Sequence, residues 1–293
     1  MRSGLLLLAD SRLPSGGHGH SGGVEALVDR GLLRSEADLA AFLAGRIATG
    51  AAVPAAAAAA ACALAGATDD VRAGPSDADV VPGAAAALPG AGGAACALAG
   101  ATDDVRAGPS DADVVPGAAD ALPRAGGHVS ATLCVAKWAA WDHAVSARLP
   151  AAATRVASYA QGAALLRTAA RAWPSPSVAA LRTLRRVHHP LVLGVACAAA
   201  GATPSDAGEL AVHHLVGGAC TAAVRLLGLD PLAVAAVAAA AGRRAEPVVA
   251  GAVRAGVAAA AARDPALLPA DGNPLFDVLA QLHRSTEATL FAS

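Results

Sequence analysis

Aromatic side chains are nearly missing from this sequence: three Trp, three Phe and one Tyr make up 2% of 293 residues. A core without them must be built from Ala, Leu and Val. Alanine loses no side-chain entropy in a helix, whereas the β-branched and aromatic residues that favour strands are thin here. The expected fold is therefore all-α, a single helical bundle. Ala-rich interfaces bury little area per residue, so the helices must approach closely, and stability would gain from bound partners.

Other absences exclude functions. Lysine occurs once, as Lys137, with no glycine frame around it. A P-loop needs a lysine beside the phosphates within GxxxxGK[ST], so that route to nucleotide binding is closed. The formal net charge is −1, which gives no overall basic excess for meeting phosphates and argues against nucleic acid. The five cysteines, Cys62, Cys96, Cys134, Cys197 and Cys220, show no CxxC spacing. Their odd number fits no closed disulfide set, and they read as reduced, buried small residues of a cytoplasmic protein. The apolar run Leu5 to Leu8 is short for a signal peptide and is interrupted by Asp10. Between Ile47 and Thr68 no charge appears, but the run is Ala and Gly with Pro54 and lacks residues that drive membrane insertion. It reads as a helix packed within the protein, with no membrane partner.

One repeat is present. Residues 60–93 recur as residues 94–127, differing only at Ala86/Asp120 and Gly90/Arg124. Two copies without aromatic packing positions do not make a helical solenoid. The Gly, Pro and Asp content instead predicts a flexible, duplicated insert at 60–127 within one domain spanning 1–293. Elsewhere, helix starts are marked. Ser35 with Asp38 forms a capping-box pattern, and Thr203-Pro204, Asp230-Pro231 and Asn273-Pro274 each set a cap before a first-turn proline. Residues 154–172 read as a helix, as does the stretch after Asn273. There Leu275, Leu279 and Leu282 are spaced to share one face.

Three arrangements bear on chemistry. Gly19-His20-Ser21-Gly22-Gly23 fits GxSxG, the nucleophile elbow of serine hydrolases, but no strand precedes it. The plainer reading is a turn in which Ser21 caps the helix holding Glu25. His18-x-His20 offers two imidazoles to a borderline metal such as nickel, with no third ligand nearby. The alternative is a pair of polar loop residues. Arg155 and Tyr159 lie one turn apart, beside the small residues Ser158 and Gly162. They read either as an arginine covering a ring or as anchors of a protein interface. The apolar Leu290-Phe291 near the end reads as a docking tail.

Four segments in order resemble the urease accessory protein UreF family. Leu13, Pro14, Gly16, Ser21, Gly23 and Glu25 fit its N-terminal LPxGxFxxSxGLE signature, with His18 at the aromatic position and Val24 at the Leu. Arg155-Val156-Ala157-Ser158 with Gly162 fits its RxASxxxG helix; His189-Pro190-Leu191-Val192-Leu193-Gly194 and Ala222 to Leu226 fit two further blocks. The resemblance implies a non-enzymatic helical homodimer that bridges UreD (also called UreH) and the GTPase UreG, delivering nickel to the urease apoprotein. It further implies that nickel and GTP are handled by those partners, with no cofactor held by this chain itself. Arg155, Ser158, Tyr159, Gly162, Leu290 and Phe291 are then the expected partner interface. Direct nickel carriage by His18 and His20, and hydrolysis by Ser21, stand as alternatives.

Overall fold

The alanine run at 55–61 becomes the middle of the molecule, every residue of it sealed from solvent. The computed structural model describes residues 3–10, 13, 20–72 and 125–284, and among these every α or 3₁₀ element is helical, with no strand. In chain order they are α1 (Ser3–Ala9), α2 (Val24–Asp29), α3 (Glu36–Gly50), α4 (Ala52–Arg72), α5 (Ala125–Ala147) and α6 (Ala152–Ala172). There follow α7 (Pro176–Arg182), α8 (His189–Ala199), α9 (Pro204–Leu227), α10 (Pro231–Ala262), a 3₁₀ turn (Pro265–Leu267) and α11 (Pro274–Arg284). The all-α expectation holds.

Helix α4 is surrounded by α8, α9 and α10. Close approach replaces bulk: Gly194 of α8 backs onto the Ala58 carbonyl and Gly256 of α10 onto that of Ala56, where any Cβ would overlap backbone. Dispersion between near-touching backbones thus makes up for the missing aromatic volume. The uncharged run from Ile47 to Thr68 is divided at Ala51 between α3 and this central helix. Cys62, Cys197 and Cys220 are buried thiols. Burial pushes Cys220 up to about 11 and Cys197 higher still.

The boundary of the duplicated insert needs correction. Residues 60–72 belong to α4, and Ala60, Ala61, Cys62, Leu64 and Ala65 are core, while Ala125 to Gly127 open α5. The first copy's Ala-Cys-Ala-Leu stretch extends the alanine run, and its Gly-Pro breakers arrive only at Gly74. The remainder, 73–124, lies outside the described residues.

The expected caps are present. Ser35 and Asp38 form a reciprocal capping box, as do Thr203 and Asp206; Asp230 accepts from the Leu232 N–H and Asn273 from that of Phe276. Helix α11 forms after Asn273 as expected, with its leucine stripe turned partly outward. Leu279 is buried, but Leu275 is 69% and Leu282 44% exposed. The inward face carries Phe276, Ala280 and His283, about 100° per residue around from the leucine stripe. Leu290 and Phe291 lie outside the described residues.

Candidate functional site

The N-terminal signature forms a seat for α11. Gly23 is the N-cap of α2 with φ 96°, a left-handed conformation that suits glycine, and a Cβ there would stand 2.6 Å from the Phe276 ring. On the same ring lies the Arg46 guanidinium, 3.4 Å from its centroid. Burial lowers the pKa of Arg46 to about 10, with the Asp277 charge opposing the shift, so the group stays cationic. Glu25, almost fully buried, faces His283 of α11 at 3.3 Å between Oε2 and Nε2. Ser21 does not cap α2. Its side chain is entirely buried and its Oγ has no hydrogen-bond partner among the described residues, the opposite of the exposed nucleophile that an elbow displays. Leu13 is core. Pro14, Gly16 and His18 lie outside the described residues.

The second signature is one half of a buried polar contact. Arg155 donates to the carbonyls of Leu149 and Pro150, closing the turn before α6. Gly162 lets the Val187 carbonyl and the His189 N–H pass against α6, where a Cβ would collide with both. Around His188, which has no exposed surface, the hydrogen bonds run in one direction. The His189 N–H donates to Ser158 Oγ (3.3 Å), leaving that hydroxyl to donate to His188 Nδ1 (3.0 Å). His188 Nε2 then donates to Ser146 Oγ (2.8 Å), Ser146 to Tyr159 Oη (2.9 Å) and Tyr159 to Asp142 Oδ2 (3.0 Å). Asp142 Oδ1 accepts the His188 N–H at 2.8 Å and closes the circuit. These directions are assigned from the need to give each donor one acceptor.

Electrostatics suit this assignment. Burial, reinforced by the Arg186 and Arg155 charges, drives the His188 pKa down to about 3, so its ring is neutral at physiological pH. Burial raises Asp142 despite the bonds from His188 and Tyr159. The Tyr159 ring stacks on His188, with centroids 3.9 Å apart and planes at 21°, and carries the Arg186 guanidinium at 4.6 Å. The arginine that covers this ring is therefore Arg186, not Arg155.

Both signatures line one cleft of about 290 Å³, whose walls include His20, Gly22, Arg46, Ser158, His189, His214, Phe276 and Asp277. Within it the rings of His189 and His214 lie 5.8 Å apart. The Leu8 carbonyl, 2.9 Å from His214 Nε2, accepts a hydrogen bond from that nitrogen and leaves Nδ1 with the lone pair. Burial, then the neighbouring His214 and His20, lowers the pKa of His189 to about 3. Among the described residues, no three His, Cys, Asp or Glu side chains are grouped to hold a metal ion.

Relatives match this sequence along nearly its whole length. A protein of Mycobacterium sp. (strain JLS) named urease accessory protein UreF is 36% identical over 289 residues, covering 99% of this chain and 97% of the relative. Proteins of the same name from Mycolicibacterium vanbaalenii and Mycobacterium marinum are 35% and 31% identical over the same shares. The family model UreF matches residues 104–242. The chain belongs to the UreF family. In this UreF protein the four segments that carried the resemblance are not four separate sites. The RxASxxxG helix and the block beginning at His189 are the two sides of one contact, and the N-terminal signature receives α11. Sequence reasoning missed Asp142, Ser146, His188 and Arg186 as partners of Tyr159. Nothing local marks them, because Asp142 and His188 are 46 residues apart.

Proposed function

We propose that this chain is a urease maturation factor without catalytic activity of its own. It acts in the cytoplasm as a homodimer that joins a UreD/UreH homologue to the GTPase UreG, so that nickel enters the urease apoprotein under control of GTP hydrolysis. The observation that carries this reading is the match to proteins named urease accessory protein UreF across 99% of the chain. Ser158 and Tyr159 of the RxASxxxG helix are engaged within the chain by Ser146, Asp142 and His188, which suits a scaffold better than a catalyst. A bridging role also suits the apolar surface left on α11, where Leu275, Val278 and Leu282 are exposed. Arg155, Ser158, Tyr159 and Gly162 serve an interface indirectly here, by fixing α8 and its leading loop against α6. Leu290 and Phe291 follow α11 in sequence and extend its apolar character.

The test is reconstitution. The chain, its UreD/UreH and UreG homologues and urease apoprotein are combined with nickel and GTP, and urea hydrolysis is followed with each component left out in turn. Activation is expected to require this chain, which should co-elute with UreD/UreH and then retain UreG. Equal activation without it would end the proposal.

A further inference from the structure

No carboxylate side chain occurs between Asp142 and Asp206, yet seven arginines do. On a chain of net charge −1 this is a strong local asymmetry. Two of the seven are used internally: Arg148 donates to the Ala266, Leu268 and Pro269 carbonyls, and Arg155 closes the turn before α6. The other five, Arg167, Arg171, Arg182, Arg185 and Arg186, are all exposed. Among the described residues no carboxylate pairs with Arg167, Arg171, Arg182 or Arg185.

Their elements are contiguous. Besides Ala172 at its last position, the exposed residues of α6 are Val156, Ala160, Ala163, Arg167 and Arg171, spaced to form one outward face that is apolar at its start and basic at its end. Helix α7 packs on α6, and the connection from α7 to α8 returns along it, since Val187 lies against Gly162 and Arg186 over Tyr159. Arg182, Arg185 and Arg186 therefore flank the α6 face.

We propose that this flank, the outer face of α6 with α7 and the α7–α8 connection, docks a carboxylate-rich protein surface. This deepens the maturation reading and rests on it. The charge is arginine without lysine, and arginine is enriched in protein interfaces where lysine is depleted; its planar fork meets a carboxylate through two parallel bonds. Small apolar residues adjoin the charges, as at the core of a protein contact. Single strands of nucleic acid are bound on exposed rings, whereas Tyr159 here is covered by Arg186 and His188, and Trp173 at the end of α6 is half-buried against the core.

The experiment replaces Arg167, Arg171, Arg182 and Arg185 by Glu in the full chain, with a second variant carrying Lys at the same positions. Arg186 is kept because it covers Tyr159. Binding of purified UreD/UreH, UreG and urease apoprotein is measured across a salt series, and circular dichroism checks that helicity is unchanged. The Glu variant is expected to bind one of these at least about tenfold more weakly, with a flatter salt dependence, while the Lys variant, which keeps the charge but loses the paired bonds, falls between it and wild type. Equal binding of every partner by wild type and Glu variant overturns the docking surface but leaves the maturation reading standing. A wild-type chain that binds none of the three overturns both. If the Glu variant instead loses only binding to duplex DNA or to phosphatidylglycerol vesicles, or only self-association, the flank serves another occupant and the proposal is wrong.

Discussion

Replacing Tyr159 by Phe separates the polar circuit from everything else that residue does. The ring stays, stacked on His188 and beneath Arg186, and only the hydroxyl leaves. Two bonds go with it: the one donated to Asp142, which is charge-assisted, and the one from Ser146. Asp142 keeps the His188 N–H, and both Asp142 and Ser146 are only half-buried, so water recovers part of the loss. The net cost is about 2 kcal/mol, below the full penalty of orphaning two buried groups. Tyr159→Ala also removes the ring and is expected to cost about 4 kcal/mol, a large share of the roughly 5–15 kcal/mol that holds a domain folded. Urea unfolding followed at 222 nm reads both from the midpoint shift at constant slope. A Tyr159→Phe variant within about 0.5 kcal/mol of wild type would refute the circuit as a source of stability. The same variant separates folding from assembly: lost partner binding at unchanged stability would mean that the hydroxyl touches the partner directly.

Acid should weaken the fold earlier than carboxylate titration explains. His188 is depressed to about 3, so its contribution is present above its unfolded value near 6.5 and is lost as pH falls toward 3. Between pH 7 and 5 this amounts to about 2 kcal/mol, and a flat stability curve over that window would contradict it. Asp142, raised by burial, acts in the opposite sense at pH above the ordinary carboxylate value. Gly162→Ala should cost about 2–3 kcal/mol in urea unfolding, because backbone blocks its Cβ on the α8 side, whereas Gly45→Ala, with open space around it, should stabilise by up to about 1 kcal/mol. Equal effects at the two sites would remove the close-approach argument. Deleting residues 94–127 should leave the melting temperature within about two degrees of wild type, since long loops close at little extra entropy. Ala91-Gly92-Gly93 then stands before His128 as Ala125-Gly126-Gly127 does now, so a large drop would show that the second copy packs.

What was legible in the sequence is what local chemistry decides. Ser35, Thr203, Asp230 and Asn273 were readable as caps because a side-chain oxygen and the N–H it accepts lie within three residues. The helical class followed from alanine in the same way. The repeat boundary does not mark the end of α4, because the first residues of the repeat continue an apolar helix and only its later ones break it. The leucines of α11 satisfied a helical period, yet period alone does not say which part of an apolar helix meets the body. That is decided by Gly23 and Glu25, about 250 residues away, which admit Phe276 and His283.

The RxASxxxG pattern shows why the site was harder to read than the fold. Arg155, Ser158, Tyr159 and Gly162 fall on one side of α6, a spacing equally suited to a partner's helix or to the protein's own chain. In the fold the space beside Gly162 is filled by Val187, His188 and His189 of the same chain. Each signature residue then has a physical task there: Arg155 closes the preceding turn, Ser158 receives an otherwise unpaired N–H at the start of α8, Tyr159 joins the ring stack to Asp142, and Gly162 makes room. A partner need not touch any of them to depend on them. Displacing α8 would move Arg186 and the connection it lies on, and with them the stretch between Asp142 and Asp206 that bears seven arginines and no carboxylate.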